Sequence, residues 1–137
     1  MFRKLLNRIG LKSAAPTLPP EAQPTPSSDR PVPLDVTDAD FAALILASDK
    51  LAVVDFWAEW CEPCHVMSAY VGFLASDYAD RVLVAALDVD ENQETSSQYA
   101  VMGLPTTIFF RNGQEIERIV GVVNYEELRQ QVDRLLA

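Results

Sequence analysis

Outside one short stretch the chain has no cysteine. Its two are Cys61 and Cys64, and the adjacent His65 is the only histidine. That scarcity excludes a disulfide scaffold. It also leaves too few ligands for a structural zinc site, which draws four from the protein, often as two separated pairs. No apolar run reaches the roughly 18–20 residues needed to cross a bilayer. Positive charge is short as well: eleven Lys and Arg face twenty Asp and Glu, and a net charge of −9 argues against a general nucleic-acid surface. With 137 residues and no internal repeat, there is material for one folded domain.

The basic residues that exist are concentrated at one end. Residues 1–30 carry five basic and two acidic side chains, a net +3, whereas residues 31–137 carry six and eighteen, a net −12. Met1 to Lys12 interleaves Arg3, Lys4, Arg8 and Lys12 with Phe2, Leu5, Leu6, Ile9 and Leu11. This pattern is too broken for an ordinary secretory signal. It is expected to be a loose leader, with organelle targeting or weak contact with anionic lipid left open. Pro16, Pro19, Pro20, Pro24, Pro26, Pro31 and Pro33 then resist helix and sheet alike. The expected division is a flexible, basic and then proline-rich extension over 1–31, followed by a folded domain over 32–137.

Within that domain, Thr37 with Asp40 three residues on predicts a capped helix over Asp38 to Ala47, with Phe41, Leu44 and Ile45 inward. Leu51 to Trp57 reads as a buried strand interrupted by one carboxylate, Asp55, which is costly there without compensation. A helix should open near Cys61 to Pro63, since proline is tolerated in a first turn. Val66, Met67, Tyr70, Val71 and Leu74 would form its apolar face. Val82 to Leu87 reads as a second buried strand, and Glu94 to Tyr99 as a short helix. Thr106 to Phe110 and Glu115 to Val120 flank Asn112-Gly113, a strong signal for a tight hairpin. Asn124 and Glu127 predict a capping box for a final helix through Leu136. Tyr125, Leu128, Val132 and Leu135 would be its buried stripe. Helix and strand alternate and end in a hairpin and helix, so the expected fold class is α/β, a central mixed β-sheet flanked by α-helices in a three-layer α/β/α sandwich.

Cys61-Glu62-Pro63-Cys64-His65 admits three chemistries. A dithiol at a helix start is activated by free N–H groups and the helix dipole, and can exchange with other disulfides. Cys61 would then lie at the exposed start and Cys64 one turn deeper. Half a metal site lacks its other half. The string also matches a C-x-x-C-H haem attachment, with His65 as axial ligand, but its surroundings fit strands rather than a haem wrapping. Asp88 to Asn92 imitates a calcium loop but lacks the glycine and glutamate that such a loop requires, at Gln93 and Tyr99. It reads as a solvated charge run.

A wider set of residues favours the dithiol. Asp55-Phe56-Trp57-Ala58-Glu59-Trp60-Cys61-x-Pro63-Cys64, Gly103-Leu104-Pro105-Thr106, and Phe110-x-Asn112-Gly113 followed by Gly121 occur in the order seen in thioredoxins, and residues 32–137 resemble that family. The resemblance implies the thioredoxin fold and protein-disulfide reductase activity without a bound cofactor. It makes Cys61 the nucleophile, Cys64 the resolving thiol and Asp55 the group that exchanges a proton with Cys64. Pro105 falls on the family's cis-proline and Leu104 offers backbone groups to an extended client. Trp60 would form an apolar lip, and Gly121 would leave room for the client. Trp57 is expected to be core. Implied partners are disulfide-containing proteins and a thioredoxin reductase, NADPH- or ferredoxin-linked. The expected state is a cytoplasmic monomer. The alternatives are a docking or chaperone module of the same fold, or an oxidase or isomerase in an oxidising compartment.

The chain departs from the family pattern at several points. Glu62 stands where glycine is usual, and its charge should raise the Cys61 thiol slightly relative to a glycine variant, although a first-turn acid suits the helix dipole. His65 replaces a common lysine, so redox tuning by Glu62, Pro63 and His65 is expected, with a pH response near 6 to 7 from His65. Ala86 takes the place of a lysine near Asp55, leaving that acid without a charge partner. Ala69 replaces a helix proline, which predicts a less kinked helix.

Overall fold

Strand β2 (Leu51–Trp57) is the middle strand of a five-stranded sheet, with its first six residues buried. A computed structural model of the protein describes residues 32–137, and the expectations for the leader and linker fall outside them. Val53, Val54 and Phe56 suit a strand covered on both faces. β2 runs parallel to β3 (Val82–Asp88), in register from Leu51 opposite Val82 to Trp57 opposite Asp88. On its other side it pairs antiparallel with β4 (Thr106–Arg111). The two-residue β1 (Leu34–Asp35) lies outside β3, and β5 (Gln114–Val120) outside β4, giving the order β1-β3-β2-β4-β5.

Alternate residues supply two cores. Leu51, Val53, Val84 and Phe109 pack against Met67, Val71 and Leu74 of α2 (Glu62–Asp77) and Leu128 and Val132 of α4 (Tyr125–Leu136). Val54, Phe56, Leu87, Ile108 and Phe110 pack on the opposite face against Val36, Phe41 and Ile45. The flanked mixed sheet is the expected fold class. Each of these fully buried large side chains contributes about 1.5–3 kcal/mol of burial.

Three helices differ in detail from expectation. The first, α1 (Ala42–Leu46), is a short π-helical turn rather than a helix over 38–47, and no side chain caps it. Asp38 is drawn away to α3 (Gln93–Gln98), where its carboxylate accepts from the Glu94 N–H (3.1 Å), the Thr95 N–H (2.8 Å) and the Thr95 hydroxyl (2.6 Å). Of the expected capping box at Thr37, only the bond from the Thr37 N–H to Asp40 Oδ1 forms (2.7 Å). Leu44 and Val66, expected inward, are exposed. Tyr99 falls just outside α3 and packs edge-on to Phe110, ring centroids 5.2 Å apart.

The two strongest local signals hold. Asn112 and Gly113 have φ of 55° and 80°, as a primed hairpin turn requires. Glu127 N–H donates to Asn124 Oδ1 (2.8 Å) and Asn124 N–H to Glu127 Oε1 (3.4 Å), closing the capping box of α4.

Candidate active site

Where β2 leaves the sheet, the chain turns through Ala58 to Trp60 and enters α2 with Cys61 as its N-cap. Cys61 is extended (φ −92°, ψ 109°), which aims its sulfur at the helix's unsatisfied N–H groups. The Cys64 N–H donates to Cys61 Sγ at 3.2 Å. Pro63, the second helical residue, has no N–H to leave unpaired there. Cys61 and Cys64 are joined as a disulfide, with Cα atoms 5.3 Å apart. Cys64 is fully buried and Cys61 is 4% exposed, so in this oxidised form the outer sulfur is more covered than expected. The helix runs unbroken through Ala69.

Asp55 lies two residues from the C-terminal end of β2, buried, on the face covered by α2. The Ser68 hydroxyl donates to its Oδ2 at 3.2 Å. Ser68 is four residues beyond Cys64, so the two share one face of the helix about 6 Å apart along its axis. The carboxyl therefore sits one turn beneath the inner cysteine. Burial pushes its pKa up to about 7, against a smaller lowering by the Ser68 bond. Ala86 faces it from β3 and offers no charge.

The neighbouring loop completes the surface. Leu104–Pro105 is a cis peptide. The half-buried Leu104 packs with Trp57 against Ala58, Cys61 and Cys64. The Pro105 carbonyl accepts from the Gly121 N–H at 2.8 Å, tying the two loops together. Gly121 has φ of 95°, and a Cβ there would meet nothing, so it is glycine for its backbone and leaves open space. Trp60 is 70% exposed, and its indole N–H donates to Asp90 Oδ2 at 2.9 Å. Glu62 is exposed at the head of α2, and the exposed His65 ring hydrogen-bonds the Glu59 carbonyl at 3.0 Å.

The structure thus gathers Cys61, Cys64, Asp55, Trp60, Leu104, Pro105 and Gly121 at one end of the sheet. The sequence reading passed over Ser68 and Met102, and took Asp90 only as part of a solvated charge run. Ser68 was readable as a polar residue one turn after Cys64 on the buried side. Met102, two residues before Leu104, is 87% exposed, an apolar side chain on the loop that borders the disulfide. Nothing local announced the Trp60–Asp90 bond. Among the described residues no three His, Cys, Asp or Glu side chains are grouped as metal ligands.

The thioredoxin family model matches residues 32–134. The chain belongs to the thioredoxin family. Over 103 residues it is 42% identical to a thioredoxin of Alicyclobacillus acidocaldarius, covering 75% of this chain and 97% of that one. A thioredoxin of Mycobacterium tuberculosis is 44% identical over 94 residues, 69% of this chain and 81% of its own. The bifunctional thioredoxin reductase/thioredoxin of Mycobacterium leprae is 42% identical over 97 residues, which are 71% of this chain and 21% of that protein. The crystal structure of a Malassezia sympodialis thioredoxin superposes with a TM-score of 0.71 at 28% identity, covering 79% of this chain and 94% of that one. The fold is the thioredoxin fold, and the Cys61–Cys64 pair is its redox-active disulfide. As a thioredoxin the chain is a protein-disulfide oxidoreductase working by thiol–disulfide exchange.

Proposed function

We propose that the protein reduces disulfides of client proteins, with Cys61 attacking and Cys64 resolving. The observation that carries the assignment is the Cys64 N–H on Cys61 Sγ at the start of α2. When the pair is reduced, that donor and the helix dipole favour a thiolate on Cys61. The thiolate attacks one sulfur of a client disulfide, forming the Cys61–client bond and releasing the other client sulfur as thiolate. Asp55 carboxylate accepts the Cys64 proton, directly or through one water. The Cys64 thiolate then attacks Cys61 Sγ, closing the Cys61–Cys64 disulfide and expelling the second client thiolate. Two electrons have passed from this protein to the client, and no bound cofactor enters the exchange.

Leu104 and Pro105 present backbone to an extended client, Trp60 and Gly121 border its path, and Glu62, Pro63 and His65 tune the pair. The exposed Trp60 and Met102 supply apolar contact, which suits a polypeptide substrate. A thioredoxin reductase returns the electrons, a reading supported by the relative whose name joins reductase and thioredoxin in one protein. Residues 32–137 are the working unit, a monomer acting in the cytoplasm, and residues 1–31 an appended extension. Among the described residues no helix is long and apolar enough to cross a membrane. Insulin reduction with dithiothreitol tests the assignment: C61S should precipitate insulin no faster than the reagent alone. Equal rates for C61S and wild type would overturn it.

A further inference from the structure

Two hydroxyls beside Asp55 have no part in the exchange so far. Ser68 donates to Oδ2 from α2. Thr107 stands opposite Asp55 in the antiparallel β2–β4 pair, on the same face of the sheet. Asp55 Oδ1 and Thr107 Oγ1 are the two buried side-chain polar atoms without a hydrogen-bond partner among the described residues. Buried orphan atoms are rare because each forfeits its hydration. Finding both on directly facing residues points to a shared cause. Facing residues keep Cβ atoms about 4.5–5.5 Å apart, and between two oxygens that do not bond directly one water can span such a gap.

We propose that Ser68 and Thr107 are positioning residues for Asp55, one hydroxyl serving each carboxyl oxygen in both protonation states. The proposal rests on Asp55 being the proton acceptor of Cys64. A hydroxyl both donates and accepts. Toward the carboxylate, Ser68 donates directly and Thr107 through one bridging water. Toward the acid, Ser68 still donates to Oδ2 while the Oδ1 proton is given through that water to Thr107 Oγ1. A cation in either place would favour the ionised form alone. None stands there among the described residues: in register the flanking residues are Ala86 and Thr107, α2 brings Ser68 and Cys64, and the carboxylates of Asp35 and Asp88 are opposite Ala86 and Trp57. The proton moves from Cys64 Sγ to the carboxyl, and the thiolate so formed breaks the Cys61–client bond. The released client sulfur takes its proton from solvent.

The test follows the Asp55 carboxyl by ¹³C NMR in the reduced full-length protein, together with the pH profile of mixed-disulfide resolution. A hydrogen bond to a carboxylate is stronger than one to the neutral acid, so S68A and T107V should each lower the ionised fraction of Asp55 at pH 7 about threefold or more, and move the acid limb of the profile to higher pH. T107S, which keeps the hydroxyl, should restore both. A wild-type midpoint and profile in S68A or in T107V would overturn the role of that residue. D55N separates this from the proton-transfer reading. If D55N keeps the wild-type profile, proton transfer by Asp55 is overturned, while the midpoints still decide the positioning. If D55N loses the profile and the hydroxyl variants leave the midpoint unmoved, the positioning role alone fails.

Discussion

Asp55 and Thr107 face each other across the β2–β4 pair, and each buries an oxygen that finds no hydrogen-bond partner among the described residues. Among the described residues, the other carboxyl oxygen accepts one hydrogen bond, from Ser68. The sheet thus carries a buried carboxyl in an apolar setting, at a cost in stability that depends on pH.

That dependence has a definite sign. Burial raises Asp55 from 3.8 to about 7 in the folded protein. Between those values the folded state holds a proton that the unfolded chain has released, so stability falls as pH rises and levels off above pH 7. The span corresponds to about 4 kcal/mol. Urea unfolding of the oxidised protein at pH 4.5 and 8 should show about 3 kcal/mol of this loss in wild type and its absence in D55N. Parallel pH trends in the two proteins would contradict it.

Cys64→Ser should retain attack and lose resolution. Incubated with an oxidised client, the reduced variant should accumulate a covalent Cys61–client adduct visible by intact-mass spectrometry. Wild type should show little of it. An equal amount of adduct in both would remove Cys64 from the resolving step.

Asp38→Ala should destabilise the domain by about 1–2 kcal/mol, because three donors of α3 lose their acceptor. Burial alone would raise the Asp38 pKa, but the bonds from Thr95 and Glu94 outweigh it and lower the value. This contribution is therefore present above the ordinary carboxylate range and lost as pH falls below it. Amide exchange at Glu94 and Thr95 should quicken, with insulin reduction unchanged.

Gly113→Ala should cost about 1–2 kcal/mol. Its φ of 80° is strained for alanine, and the new Cβ would stand 3.3 Å from the Leu46 carbonyl oxygen. A lower Tm with undisturbed active-site chemistry is the expected result.

Glu62→Gly should lower the Cys61 thiol slightly in the reduced protein, since a negative charge leaves the head of α2. The difference should shrink with added salt. Thiolate absorbance followed against pH in both proteins measures it, and an unchanged or higher value in the glycine form would refute the tuning.

Legibility followed the range of the forces involved. The α4 capping box and the Asn112–Gly113 turn were readable because their donors, acceptors and dihedral demands lie within four residues. Strand β2 matched to the residue, its apolar run needing only burial on both sides. The helix expected at 38–47 was misjudged because Asp38 spends its carboxylate on residues 56 and 57 positions away. Ser68 was overlooked for a related reason: its hydroxyl matters only once α2 lies on β2.

The sequence by itself determined that one cysteine pair at a helix start would carry the chemistry, and that a single acid would interrupt a buried strand. Spacing and patterning suffice for such statements because they concern neighbours along the chain. Only the tertiary structure decided what surrounds that acid. Strand register put Ala86 on one side of Asp55 and Thr107 on the other, and helix packing brought Ser68 onto its second oxygen. Those distances arise from long-range pairing, and the protonation of Asp55 depends on them.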